Sequence, residues 1–165
     1  MAAEKETDFD PSLDSVALNA ARVMNHVLQK GYQMGGVVGT LLVAPATLLR
    51  LSRAGRLPRG GALTAAAGAV GKTVLVTTAL AGALGAARLA SLEDVKAGVE
   101  DRVYRLHYNQ GQNRADRFAL AGSAVGVAAA ALLVPMSPTA LLGGGAAGAA
   151  AALLAHVGTA KDKDE

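Results

Sequence analysis

One segment of the chain has residue types and spacing that could bind a nucleotide. Ala66–Thr73 satisfies a relaxed phosphate-loop pattern, in which an alanine or glycine and four further residues precede Gly-Lys-Thr. A functional loop of this kind follows a buried strand, opens a helix at the lysine and works with a downstream acid that holds magnesium. Because the segment lies inside a long run of alanine, glycine and threonine, and no strand-like run in the sequence ends in aspartate, we do not expect nucleotide binding.

The chain has few other residues from which a catalytic or metal site could be built. It contains no cysteine, which excludes disulfides, cysteine-ligated zinc, iron–sulfur clusters and thiol catalysis. The imidazoles are those of His26, His107 and His156, and we expect no metal or cofactor site. His156 is predicted to be an interfacial histidine with a local hydrogen bond, and His107, next to Tyr108, a contact to lipid headgroups or a partner. Since no serine, histidine and acid are spaced as a triad, we expect neither an enzyme nor a small-molecule substrate.

The composition favours a membrane protein over a soluble or nucleic-acid-binding one. Of 165 residues, 52% are hydrophobic and 18% charged but only 3% aromatic, so the apolar mass consists of alanine, glycine, leucine and valine. A soluble core of such small side chains would bury little area per residue. The net charge is only +3 and the basic residues are spread without aromatic interleaving, so we expect no nucleic-acid partner.

Four apolar segments are long enough to cross a membrane as helices. Tyr32 to Leu49 carries no formal charge, and Thr139 to Ala160 carries none besides the ionisable His156. A soluble helix would present a polar residue every three or four positions, and these segments do not. The predicted fold class is therefore all-α and integral to the membrane. Its membrane domain covers 31–158, with four glycine- and alanine-rich transmembrane helices at about 32–50, 61–87, 118–134 and 138–157.

Two amphipathic helices are predicted outside these spans. The first lies in region 1–30 after an acidic tail, with Asp10 as N-cap, Pro11 at the first helical position and Gly31 as the stop. It either docks on the rest of the protein, which we favour, or lies in the lipid interface. A short charged tail, 159–165, follows the last span.

The second amphipathic helix is predicted at about 91–108, in the long loop that separates the two pairs of spans. Ser91 and Asp94 resemble a capping box, and apolar residues then recur at steps of three and four. The cluster Asn109-Gln110-Gly111 is typical of a turn and is expected to end this helix.

Glycine spacing predicts where the spans pack. The chain has 20 glycines, each of which costs about 1 kcal/mol relative to alanine in a water-exposed helix, whereas membrane helices use glycine for close backbone approach. Because alanine inserts weakly into lipid, several spans are expected to face protein, so we expect other membrane subunits and lipids as partners. The predicted packing positions are pairs four residues apart: Gly35 and Gly39, Gly122 and Gly126, and Gly144 and Gly148.

Lys72 is a charge near the middle of the second predicted span. An intramembrane charge usually faces a partner group or water. Its partner could be a carboxylate on another subunit, a lipid headgroup reached by snorkelling, or a polar cavity. We favour an anionic lipid or a structural ion pair over a transport role.

The basic residues predict the orientation of the spans. Arg50, Arg53, Arg56 and Arg59 make the first connection the densest positive charge of the chain, and the positive-inside rule places it in the matrix or cytoplasm. Both termini and the long loop then lie on the opposite side. The acidic segment Met1–Asp10 is unlike a cleavable presequence, so we expect no removable targeting peptide.

One motif at the start of the third span matches part of a pattern of arginine, three residues, aspartate, six residues, a small residue with glycine, and a glycine four further on. Asp116, Ala121, Gly122 and Gly126 fill its last part, with four intervening residues in place of six. Gln112 stands at the position of the arginine.

With this motif and its four-span layout over Gly31 to Gly158, the chain resembles the mitochondrial family of preprotein translocase channels, plastid amino-acid pores and a related membrane-arm accessory subunit of respiratory complex I. The resemblance implies a mitochondrial inner-membrane protein with both termini and the long loop on the intermembrane-space side. Our leading hypothesis is a non-catalytic accessory subunit of a respiratory assembly, with complex I (NADH:ubiquinone oxidoreductase) first. The alternatives are a translocase or pore in which Lys72, Thr73, Thr77 and Thr78 line a water-filled path, and a protein that anchors or shapes membranes.

Overall fold

The protein is described by a computed structural model over residues 9–57 and 61–159. These residues form helices and no strand, so the prediction of an all-α chain is confirmed. The acidic tail before Phe9, Arg59 and the C-terminal tail beyond Thr159 lie outside the described residues. The elements are a 3₁₀ turn at Pro11–Leu13 and the helices α1 (Val16–Val38), α2 (Ala44–Arg53), α3 (Ala62–Ala90), α4 (Val95–Tyr108), α5 (Gln110–Leu133) and α6 (Pro138–Thr159).

The first predicted helix does not end at Gly31, and this prediction is wrong. A π turn at Gly39–Val43 joins α1 to α2, so one continuous helix runs over Val16–Arg53. Gly31 is buried within it because α3 packs there: a Cβ on Gly31 would lie 2.7 Å from the Cβ of Ala81. The helix instead ends at Arg53, and Gly55 follows with a φ of 63°, the left-handed conformation that suits glycine just after a helix. The predicted amphipathic helix and first span are therefore one element.

The start of the chain is also capped differently from the prediction. The Asp10 side chain accepts from the backbone N–H of Ser12 at 2.9 Å, but it caps only the 3₁₀ turn. The α-helix has its own N-cap, Ser15, whose hydroxyl accepts from the backbone N–H of Leu18 at 3.2 Å. Two N-caps therefore follow each other before α1, one for the 3₁₀ turn and one for the α-helix.

Most of the predicted long loop is helical. Asp94 caps α4 by accepting from the backbone N–H of Ala97 at 3.0 Å, whereas Ser91 ends α3. Asn109 alone separates α4 from α5, and its side chain accepts from the backbone N–H of Gln112 at 3.0 Å. The third apolar helix consequently begins at Gln110 rather than near 118, because this cap lets the helix start before its apolar part.

The helices form an antiparallel bundle with α4 on its side. α1 packs on α3 and α6, and α5 packs on α6. Val99 and Val103 of α4 are buried, and α4 contacts α1. Phe9 packs against the end of α4, since its ring stacks on that of His107 at 4.1 Å between centroids.

The distribution of apolar side chains is the reverse of that in a soluble bundle. The buried core consists largely of alanine, valine and glycine. Four helices, Val16–Arg53, Ala62–Ala90, Gln110–Leu133 and Pro138–Thr159, are long and apolar enough to cross a membrane. The large apolar side chains on two of them face outward: Leu75, Leu80 and Leu84 on α3, and Leu120, Val125, Leu132 and Leu133 on α5.

Candidate functional site

The contact between α5 and α6 is made by glycine on both sides. A Cβ on Gly126 would lie 3.0 Å from the Cα of Gly148, and one on Gly148 would lie 2.9 Å from the Cα of Gly126. Gly122 is similarly close, since its Cβ would lie 2.5 Å from the Cβ of Ala152. Gly144 faces Gly126 and Ala130. The two backbones are thus in direct contact, as small residues at this spacing allow.

The remaining predicted pair lies between α1 and α3. A Cβ on Gly35 would lie 2.7 Å from the Cα of Val74, and one on Gly39 would lie 3.1 Å from the Cα of Val70. The structure therefore places all six predicted packing glycines at helix contacts.

Further glycines, among them Gly36, Gly71 and Gly143, make close contacts that were not among the predicted pairs. Gly71 of α3 and Gly143 of α6 meet each other: a Cβ on Gly143 would lie 2.8 Å from the backbone nitrogen of Gly71. Gly36 lies against α6, where its Cβ would be 3.2 Å from the carbonyl carbon of Ala146. The run Gly143-Gly144-Gly145 in the sequence was a signal for this, because consecutive glycines allow close approach on more than one helix face.

A polar cluster joins the first and third apolar helices at one end of the bundle. The carboxylate of Asp116 accepts hydrogen bonds from the ammonium of Lys30, from Nε2 of Gln33 at 2.8 Å and from Nε2 of Gln112 at 3.3 Å. Nδ1 of His26 lies 3.8 Å from Oδ2 of Asp116. Gln33 is only 6% exposed, and Lys30 also donates to its side-chain oxygen at 2.8 Å. We call these five residues the Asp116 cluster.

Sequence reasoning found only part of this cluster. Asp116 and Gln112 entered through the motif resemblance, whereas His26, Lys30 and Gln33 were missed. Their spacing of four and three residues places them on one face of α1, which was the available signal.

Lys72 lies exposed on α3, at an open groove of about 690 Å³ lined by α2, α3 and the turn before α6. No carboxylate of the described residues lies within ion-pair distance of it. Thr73 and Thr77 line the same groove and donate to backbone oxygens of their own helix, each at 3.0 Å. Thr78, predicted to line a path with them, instead lines a different cavity together with Asp116. The three threonines therefore do not share one path.

The structure also shows the surroundings of the phosphate-loop pattern, of His156 and of the possible metal ligands. Ala66–Thr73 lies wholly within α3, so its backbone forms a regular helix and not a phosphate-binding loop. The His156 ring lies 5.2 Å from that of Phe118, and its buried Nδ1 has no hydrogen-bond partner among the described residues. Within residues 9–57 and 61–159, no three histidine, aspartate or glutamate side chains gather as metal ligands.

Comparison with known proteins identifies a family but no activity. A family model described as "Protein of unknown function (DUF1757)" matches residues 4–157. No curated protein matches the chain.

Proposed function

The chain belongs to the DUF1757 family, and we propose that it is a multi-pass membrane protein with a non-catalytic, structural role. The observation that carries this proposal is the outward-facing apolar surface of its long helices. Leu84 is 71% exposed, Leu120 72% and Leu132 86%. In water, so large an apolar surface would drive aggregation, whereas in a bilayer it contacts acyl chains.

We further propose that part of this surface packs against other subunits. Ala79, Ala83 and Ala86 are exposed on α3 at steps of four and three residues, so they form one smooth face. Alanine gains little from contact with lipid, but its small size lets another helix approach closely. This face is therefore better suited to protein than to lipid.

The assembly that we propose is a respiratory complex of the mitochondrial inner membrane, and complex I is the candidate that we favour. This part of the proposal is supported by the resemblance in layout and motif described above. Both termini and the connection that carries α4 would lie on the intermembrane-space side, and the arginines of the first connection, Arg50, Arg53 and Arg56, in the matrix.

Native-gel separation of gently solubilised membranes tests this assignment. We expect the chain to migrate with NADH dehydrogenase activity and to leave that band when the complex is dissociated. Migration as a separate oligomer that conducts ions in planar bilayers would contradict the assignment and favour the alternative.

The alternative is a translocase or pore, and one observation favours it. Lys72, Thr73 and Thr77 line the same open groove, which a second chain could close into a polar path. The third hypothesis, membrane shaping, requires amphipathic helices that are free to lie in the interface. α4 suits this less well, because Val99 and Val103 are already buried in the protein.

A further inference from the structure

A further cavity, of about 330 Å³, lies between α1, α4 and the end of α3. Three arginines line it, one from α3 and two from α4, together with a histidine of α1, and no acidic side chain of the described residues lines it. The arginines are Arg88, Arg102 and Arg105, and the histidine is His26. The rest of the wall is largely apolar and includes Val23, Val27, Leu89 and Leu106. We call it the arginine cavity.

Within residues 9–57 and 61–159, the positive charge of the arginine cavity is only partly compensated. Arg105 donates to Asp101 at 3.0 Å, but this pair is exposed. The contact of Arg88 among these residues is with the hydroxyl of Ser91, at 3.5 Å. Arg102 is partly buried, and the described residues provide it with neither an ion pair nor a side-chain hydrogen bond. Because like charges brought together against an apolar wall repel, an anion bound among them would lower the free energy of this arrangement.

The residues that line the arginine cavity are suited to a phosphate group. A guanidinium presents its N–H donors as a planar fork that matches two phosphate oxygens, and three arginines line this cavity. The apolar wall suits a ligand that is only partly polar. A fully hydrated anion gains nothing from such a wall.

The position of the cavity indicates where that phosphate comes from. Arg88 lies in the last turn of α3, just beyond the exposed Leu80 and Leu84. If those leucines face acyl chains, Arg88 lies at the level of the headgroups. We propose that the arginine cavity binds the phosphate of an anionic phospholipid, a proposal that rests on the membrane location proposed above.

Lipid-dependent stabilisation of the purified full-length chain tests this proposal. The chain in neutral detergent is titrated with phosphatidylglycerol, phosphatidylcholine or inorganic phosphate, and its thermal unfolding is followed. We expect phosphatidylglycerol alone to raise the melting temperature of the native chain. In Arg102→Gln, the phosphatidylglycerol concentration that gives half of the maximal rise in melting temperature should be about tenfold higher. This is the loss of affinity expected when one charge-assisted contact is removed.

Lys96→Gln is the matched control. It also removes one positive charge from α4, but Lys96 does not line the cavity. It should respond to phosphatidylglycerol as the native chain does. If Arg102→Gln does not fold, Arg102→Lys, which keeps the charge and loses the fork, should release phosphatidylglycerol more readily in native mass spectrometry.

Three results would overturn the proposal: equal stabilisation by phosphatidylcholine, equal stabilisation by inorganic phosphate, or an equal loss in Lys96→Gln. Each concerns the lipid site alone. Whether the helices cross the membrane is measured separately by cysteine labelling in intact membranes, which does not depend on the arginine cavity, so the two failures are distinguishable.

Discussion

Gly126 and Gly148 touch backbone to backbone where α5 crosses α6, so that a Cβ on either one would lie about 3 Å or less from the Cα of the other. Real Cβ atoms essentially never lie closer than 3.0 Å to a non-bonded heavy atom of another part of the chain. A side chain at either position would therefore force the two helices to shift apart. This is the packing expected where helices associate by close contact and not by expelling water.

Adding one methyl group at this crossing should destabilise the fold. Gly126→Ala is expected to lower the free energy of unfolding in detergent micelles by about 1 to 3 kcal/mol, the usual cost of overpacking. Gly68→Ala is the matched control, because nothing lies within 4 Å of a Cβ added at Gly68. The control should be neutral or stabilising by up to about 1 kcal/mol. Equal effects of the two substitutions would contradict the packing account.

The Asp116 cluster should contribute more than a surface ion pair. Asp116→Asn keeps an acceptor for Gln33 but leaves the ammonium of Lys30 without a charged partner. Since the Asp116 side chain is only 17% exposed, we expect a loss of about 2 kcal/mol in the free energy of unfolding.

Asp101→Asn is the control for this charge change, because Asp101 also pairs with a cation but is 54% exposed. Asp101→Asn should change the free energy of unfolding by no more than about 0.5 kcal/mol. A loss in Asp116→Asn no larger than in Asp101→Asn would mean that the cluster does not hold α1 to α5.

The substitution Lys72→Leu distinguishes the proposed packing role in an assembly from the alternative hypothesis of a pore. The side chain is exposed in the isolated chain, so the stability of the purified protein should change little. Under the packing role, the substitution should impair entry into the assembly, seen as a weaker complex band on a native gel. A reduced single-channel conductance with normal assembly would instead support the pore, and an unchanged conductance would remove its main support.

The sequence predicted the number of long helices and several of their ends, because apolar runs and prolines carry that information locally. Pro138 opens α6 as expected for a proline at the first helical position. Gly31 was wrongly predicted as a helix end because a glycine is equally compatible with a helix end and with a close helix contact. Only the position of Ala81 in α3 distinguishes the two.

The polar part of the site was less accessible to sequence reasoning. His26, Lys30 and Gln33 look like an ordinary hydrated stripe of α1 until α5 is packed beside them. Gln33 and Asp116 are 83 residues apart in the chain, and no local pattern relates them. The separation of Thr78 from Thr73 has a different origin, because it follows from helix geometry alone. At 3.6 residues per turn, five residues correspond to a rotation of about 140°, so the two side chains lie on different faces of α3.

Site-directed cysteine labelling tests most directly the central claim that these helices cross a membrane. The native chain has no cysteine, so single cysteines are placed at Ser52, Ser91 and Met136, all exposed between long helices or at their ends. In intact membranes, an impermeant maleimide should reach Ser52→Cys and Met136→Cys from one side and Ser91→Cys only from the other. Labelling of all three from the same side would contradict the account.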